Sequence, residues 1–253
     1  MDHVQKLSYS IDSGLGQIAK IGLIVLQTDQ TIEDEFRQML AIDGIACYHS
    51  RIANAMQVTP QTLAQMQKDL PIAASLLPKS FAFDAIGYGC TSGATIIGEE
   101  KVAQAILAEH PHAKVSNPLS ACKAACAALK LNSIALLTPY TPEVTQALSD
   151  SLCASGIEIS HTGYFDIEDD FEVGRVDSTS LFNAIIGLGS HEDCDGVFVS
   201  CTSLRVVSII LKAEQHLGKP VISSNQALAW HLLRLSGVGE EMPHFGCLFS
   251  QGC

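Results

Sequence analysis

Short apolar runs recur along the chain, each followed by a polar turn and then by a longer stretch that reads as helix. Ile21 to Leu26 is the first, continuous in the manner of a parallel strand buried on both faces. It leads through Gln27-Thr-Asp-Gln-Thr31 into a helix over Glu33 to Leu40, whose acidic first turn suits the positive end of a helix dipole. A strand over Gly44 to Ser50 and an irregular segment from Arg51 come next. A helix then opens with Thr59 as N-cap and Pro60 at its first position, and closes at Leu76-Leu77-Pro78. Asp84 to Gly89 is predicted as strand, Gly98 to His110 as the helix after it, and Pro111 to Pro118 as a loop. Beyond it the pattern predicts a helix over Leu119 to Leu131, a strand over Ile134 to Leu137, a helix over Glu143 to Ala154 and a short strand within Gly156 to Tyr164. An acidic loop, Asp166 to Glu172, precedes a helix over Ser178 to Leu188. The last elements are a strand over Gly196 to Ser200, a helix over Val206 to Leu217, a strand at Val221-Ile222 and a helix over Gln226 to Ser236, with its N-cap in Ser223-Ser-Asn225. Strands alternating with helices predict an α/β fold of mostly parallel sheets flanked by helices.

The pattern occurs twice. Tyr88-Gly-Cys-Thr-Ser-Gly93 has an echo in Val199-Ser-Cys-Thr-Ser-Leu204, and each follows an apolar run opened by an aspartate, Asp84 or Asp195. Cys90 and Cys201 lie 111 positions apart, and the strands beginning at Ile21 and Ile134 lie 113 apart. Two element pairs at nearly one offset indicate an internal duplication. A duplicated α/β unit sets its strand-end turns opposite each other across an inter-domain cleft. The expected division is residues 1–117 with 222–253 as a first α/β domain holding Cys90, and 118–221 as a second holding Cys201.

Composition narrows the functions available. The chain has 253 residues, enough for two modest domains, and 47% of them are hydrophobic, as in a packed globular protein. A formal charge of −12 argues against nucleic acid or an anionic membrane as partner, while leaving room for a small anionic substrate in a locally positive site. Nine cysteines without regular spacing, no signal-like N-terminus and no apolar run near membrane-spanning length point to reduced thiols in the cytoplasm. Cys122 and Cys126 read as packing residues on a small-residue helix face. Cys247 and Cys253, with His244 nearby, lie in a tail that looks frayed and is a poor metal site.

A thiol at a strand end just before a helix feels the positive helix end and neighbouring N–H groups, which lower its pKa from about 8.5. Thr91-Ser92 and Thr202-Ser203 add hydroxyls to those amides, making two nests suited to carboxylates. Two thiols on opposite sides of one carbon can remove and return a proton; alternatively one adds to an activated double bond while the other manages protons. No Gly-x-Gly-x-x-Gly and no Walker loop is present, so the expected reaction uses neither cofactor nor metal.

These residues together resemble the aspartate/glutamate racemase superfamily, in the branch of maleate cis-trans isomerase, arylmalonate decarboxylase and ectoine-degradation isomerase-like proteins. The motifs that carry the resemblance are Gly89-Cys-Thr-Ser-Gly93, Thr138-Pro-Tyr140, Arg175-Val-Asp-Ser-Thr179, Ser200-Cys-Thr-Ser203 and Lys219-Pro-Val-Ile-Ser-Ser-Asn225. It implies two pseudo-symmetric domains with the site between them, and a homodimer or homotetramer. It also implies Cys90 as nucleophile towards a double bond and Cys201 as proton donor and acceptor. Thr91, Ser92 and Tyr140 match residues that hold a substrate carboxylate, with Thr202, Ser203 and Thr28 expected beside them. The decarboxylases keep only the second cysteine, so the presence of both argues for an isomerase. Racemases follow each cysteine with Asn-Thr, where this chain has Thr-Ser. An amino-acid racemase, acting on aspartate, glutamate or an ectoine-derived amino acid, is the first alternative. An arylmalonate-type decarboxylase or a non-catalytic carboxylate-binding protein is the second.

One departure bears on the substrate. Maleate isomerases carry asparagines where this chain places Asp29 and Asp170. A carboxylate facing a dicarboxylate repels it by about 1 kcal/mol or more in a partly dry cleft. Either the substrate brings an ammonium group, or one aspartate is protonated, or these side chains point away; for Asp29 a simple capping role is equally open. His49, Arg51 and Arg205 are further candidates to approach the cleft, whereas Trp230 and His231 read as packing residues.

Overall fold

The computed structural model describes residues 4–55 and 60–250. The first lobe runs β1 (Ala19–Leu26), α1 (Ile32–Met39), β2 (Ile45–Ile52), α2 (Pro60–Ser75), β3 (Ala85–Gly89), α3 (Thr91–Ile97), α4 (Glu99–Leu107) and β4 (Lys114–Ser116). Helix α5 (Pro118–Leu129) leads to the second: β5 (Ser133–Thr138), α6 (Pro142–Cys153), β6 (Glu158–Tyr164), α7 (Asp170–Val173), α8 (Ser178–Gly189), β7 (Gly196–Val199), α9 (Val207–Leu217) and β8 (Val221–Ser223). Helix α10 (Ser224–Leu235) returns to the first lobe. Two four-stranded sheets result, ordered β2-β1-β3-β4 and β6-β5-β7-β8, with every pairing parallel. The orders are the same, strand for strand, so the duplication predicted from the offsets is present as topology.

The repeated aspartates explain themselves in this frame. Asp84 Oδ2 accepts the N–H of Lys20 at 2.8 Å, and Asp195 Oδ2 accepts those of Asn132 and Ser133 at 2.8 and 3.0 Å. Each carboxylate thus ties the start of its lobe's first strand to the start of its third. Central strands β1, β3, β5 and β7 are buried almost throughout, as continuous apolar runs between two helical layers require. On β3, Gly87 makes room for α10, since a Cβ there would meet Leu232 Cδ1 at 2.8 Å. Thus α10 packs on the first sheet although β8, immediately before it, pairs with β7 in the second.

Several local expectations change. The helix after Cys90 starts at Thr91, not Gly98; Gly98, at φ 94°, divides two helices where one was expected. The predicted loop from Pro111 holds the short edge strand β4, and the predicted acidic loop holds the single turn α7. Strand β2 runs on through Arg51 and Ile52. The expected cap at Thr59 lies outside the described residues. The tail is not frayed up to Ser250: Phe245, Leu248 and Phe249 are buried, and Gln226 Nε2 donates to the Phe245 carbonyl at 2.7 Å. Cys122 and Cys126 are buried on α5, as their helix face predicts. Among the described residues no helix is long and apolar enough to cross a membrane.

Candidate functional site

Every candidate residue sits just beyond the carboxyl end of a strand, where ligands bind in open α/β sheets. The first lobe supplies Thr28 and Asp29 after β1, and Cys90, Thr91 and Ser92 after β3. The second supplies Tyr140 after β5, Asp170 after β6, and Cys201, Thr202 and Ser203 after β7. The two sets meet. Thr28 Oγ1 donates to Asp170 Oδ2 at 2.8 Å, and Thr202 Oγ1 to the Gly89 carbonyl at 3.4 Å. Ser224, at the start of α10, joins both cysteine turns: its Oγ lies 2.9 Å from Thr91 Oγ1 and accepts the Cys201 N–H at 3.0 Å.

Cys90 is the N-cap of α3, with extended backbone and its sulfur accepting the Gly93 N–H at 3.2 Å. Ser92 Oγ is 3.7 Å from the same sulfur. Gly93 is obligatory there, because a Cβ would stand 2.6 Å from Tyr88 Oη and 2.9 Å from Cys90 Sγ. Cys201 takes a different backbone. Its φ of 114° lies in the region that favours glycine, a strain of about 1–3 kcal/mol at a non-glycine residue. Such strain persists only where the surroundings hold it, and here Ser224 does so through the Cys201 N–H.

The thiols are not acidified, contrary to the expectation from helix ends. Both are nearly inaccessible, at 4% for Cys90 and 6% for Cys201. Burial pushes Cys90 up to about 11 against the opposing Gly93 N–H and Ser92 hydroxyl, and the Asp170 charge adds to the rise. Burial raises Cys201 further, with the charges of Asp170 and Asp29 in the same direction. Tyr140 is raised by burial and then by the charge of Cys201, with Cys90 contributing as well. Asp170 thus acts on both thiols and Tyr140 feels both, so the four groups share one electrostatic site.

Thr91 and Thr202 are buried and engaged with Ser224 and the Gly89 carbonyl, so they brace the turns instead of lining an open nest. Ser203 is buried too, its carbonyl held by Thr31 Oγ1 at 2.8 Å. Ser92 and Tyr140 remain half-buried, with the Tyr140 hydroxyl 3.5 Å from Ser200 Oγ. Asp29 does cap the β1–α1 turn, its Oδ1 accepting Thr31 N at 2.8 Å and Ile32 N at 2.9 Å, but its buried Oδ2 has no partner. Arg51 supports the same turn, donating to the carbonyls of Leu26, Gln27 and Asp29 at 3.1 Å and pairing with Glu33 at 2.9 Å. Arg205 donates to the Val176 carbonyl at 3.1 Å. Trp230 is buried, and His231 Nδ1 lies 2.8 Å from Ser116 Oγ.

Sequence reasoning missed Ser224, Asn225, Glu35 and Asn54. Asn225 Nδ2 donates to Glu35 Oε2 at 2.7 Å and to the Thr202 carbonyl at 2.8 Å, and Glu35 Oε1 accepts the Val207 N–H at 2.9 Å. Burial raises the Glu35 carboxyl to about 7 in spite of these donors. Asn54 Nδ2 donates to Thr28 Oγ1 at 2.9 Å. The N-cap expected within Ser223-Ser-Asn225 is Ser223, in a capping box with Gln226, but nothing local marked Ser224 as the bridge.

Two lobes of one topology, with a thiol at the same strand end in each, define a pseudo-symmetric α/β protein whose two cysteine turns meet through Ser224. More particularly, the chain belongs to the arylmalonate decarboxylase (Amdase) family, whose model matches residues 100–249. Maleate isomerase of Geobacillus stearothermophilus is 25% identical over 244 residues, covering 91% of this chain and 97% of that protein. The fold is shared with a cysteine-to-alanine variant of the maleate isomerase of Pseudomonas putida S16 with maleate, at a TM-score of 0.83, 23% identity, and 92% and 98% coverage. It is shared equally with a cysteine-to-serine variant of Nocardia farcinica maleate cis-trans isomerase carrying a covalently bound succinylcysteine intermediate, at a TM-score of 0.79, 23% identity, and 93% and 99% coverage.

Proposed function

We propose that this chain is a cofactor-independent cis-trans isomerase of a small unsaturated carboxylate, working through Cys90 and Cys201. The observation that carries the reading is the meeting of two equivalent strand-end thiols in one electrostatic site, joined through Ser224. The Cys90 sulfur adds to one carbon of the double bond, and the π pair moves to the other carbon and its carboxylate. The thiol proton reaches that second carbon by way of Cys201. Rotation about the resulting single bond follows; Cys201 then takes the proton back, the S–C bond breaks, and its pair re-forms the double bond while the proton returns to Cys90. The net change is addition and elimination of one thiol, balanced without oxidant or metal. Ser92 and Tyr140 are the hydroxyls placed to hold the carboxylate. The succinylcysteine species of the Nocardia farcinica enzyme is the kind of adduct this route forms.

A decarboxylase is the second reading, favoured by the family model; the two-thiol site favours the isomerase. Proton NMR in heavy water separates them. Cis-to-trans conversion of the alkenoate is the expected result, and loss of a carboxyl group from an arylmalonate without any isomerisation would overturn it. We further read the protein as a cytoplasmic homo-oligomer, dimer or tetramer. Exposed Val4, Leu7, Tyr9, Ile11 and Leu15 offer apolar surface for such an assembly, and sedimentation measures its size.

A further inference from the structure

Asp29 is 2% exposed, and its two oxygens are treated differently. Oδ1 accepts two backbone N–H groups of the β1–α1 turn, whereas Oδ2 is buried with no hydrogen bond. The Thr202 hydroxyl from the other lobe comes close enough to favour the charged form of Asp29, but its own bond goes to the Gly89 carbonyl at 3.4 Å. Arg51, whose charge acts on Asp29, is engaged with three carbonyls and with Glu33. Asp170 brings a second carboxylate from the opposite lobe, held by Thr28 Oγ1 at 2.8 Å and by Asn54 Nδ2 at 3.5 Å. A buried carboxylate oxygen left without a donor has room for one, and two neighbouring carboxyls, both raised by burial, are relieved by a proton on one or by a cation between them.

From this geometry we infer that the substrate carries a cationic nitrogen, seated against Asp29 Oδ2 and Asp170, where maleate would present its second carboxylate. This deepens the isomerase reading and rests on it: the substrate is a zwitterion, a cis-alkenoate bearing an ammonium group. The charge pattern of the site supports the assignment. Burial is the main reason both thiols stay protonated, and the charges of Asp170 on both and of Asp29 on Cys201 add to it. An ammonium between the aspartates offsets that added part of the rise. A dianion would increase it.

The test compares two probes, maleate and cis-γ-aminocrotonate, in which an aminomethyl group replaces one maleate carboxylate. Conversion of each is followed by NMR for the native protein, Asp29→Asn and Asp170→Asn. The native protein should favour aminocrotonate in kcat/KM by about tenfold or more, and each Asn variant should move the ratio towards maleate by a similar factor. Asp29→Asn keeps the Oδ1 acceptor of its turn, and Asp170 caps no helix, so at least one variant retains the fold. A native preference for maleate, unmoved in Asp170→Asn, would overturn the inference and leave the isomerase standing. If neither probe is converted, iodoacetamide labelling of the two thiols decides. Protection by aminocrotonate but not maleate supports the ammonium site and sinks the isomerase; protection by neither sinks both.

Discussion

The two Cys-Thr-Ser turns are alike in sequence and unlike in how they are held. The first is held largely from within: Gly93 N–H to the Cys90 sulfur, Ala94 N–H to the Cys90 carbonyl, and Thr95 Oγ1 to the Thr91 carbonyl. The second is held from outside. Ser224 takes its first N–H, Asn225 its Thr202 carbonyl, Thr31 its Ser203 carbonyl, and Glu35 the N–H of Val207 where α9 begins. One residue accounts for the divergence. The first motif ends in Gly93 and the second in Leu204, a buried side chain. In the geometry of the first turn its Cβ would press on the sulfur, so the second turn adopts positive φ at Cys201 and delays its helix to Val207. A duplicated motif has become one self-contained turn and one turn whose shape depends on the docking of the lobes.

The largest test of that asymmetry is removal of each sulfur. Cys90→Ser and Cys201→Ser should each lower turnover by about a thousandfold or more. Mass spectrometry should find a covalent substrate adduct on Cys90 in the second variant and none on Cys201 in the first; full activity in Cys90→Ser would break the assignment of roles. Next in size, Gly93→Ala drives a methyl between Tyr88 Oη and Cys90 Sγ, 2.6 and 2.9 Å from its Cβ. A displaced nucleophile should cost about a hundredfold in kcat/KM, with a loss of ~1–3 kcal/mol in urea unfolding.

Glu35 tests the outside support. Its carboxyl is raised from 4.5 to about 7, so the folded protein binds that proton more tightly than the unfolded chain does. Its contribution is present below pH 4.5 and is lost as pH rises through 7, a fall of roughly 3 kcal/mol across the window. Glu35→Gln should remove this fall, making the stability of the variant relative to native increase from pH 4.5 to 7; a constant difference would contradict the burial argument. The smallest effect is one of sign. At Cys201, with φ 114°, Gly should be more stable than Ala by about 1 kcal/mol. At Cys90, with φ −151°, Gly should be less stable than Ala by about 0.5–1 kcal/mol. Chemical denaturation of the four variants reads both differences.

Near neighbours in the chain were legible and distant ones were not. Buried strands declared themselves as apolar runs, and the duplication as a constant offset, because both are one-dimensional signals. Edge strand β4 escaped, since three residues between turns, one of them an exposed Lys114, carry no periodicity. The cysteines were found, but their acidity was read from local helix ends while the deciding term was burial by the whole fold. Ser224 is 133 positions from Thr91, and Asn225 is 190 from Glu35; contacts of that span leave no local trace. One oxygen of Asp29 takes the capping role that its place in the turn allowed, and the other is buried without a hydrogen bond.

The peptide joining Ser223 to Ser224 leaves a strand of the second sheet and enters a helix that packs on the first. The other connection between the lobes is α5, which packs on α10. Two crossings side by side make an axle, and Ser224 Oγ, with its bonds to Thr91 and Cys201, lies on it. Points on an axle travel least. A rocking of the lobes would therefore displace least the two cysteine turns that Ser224 ties together.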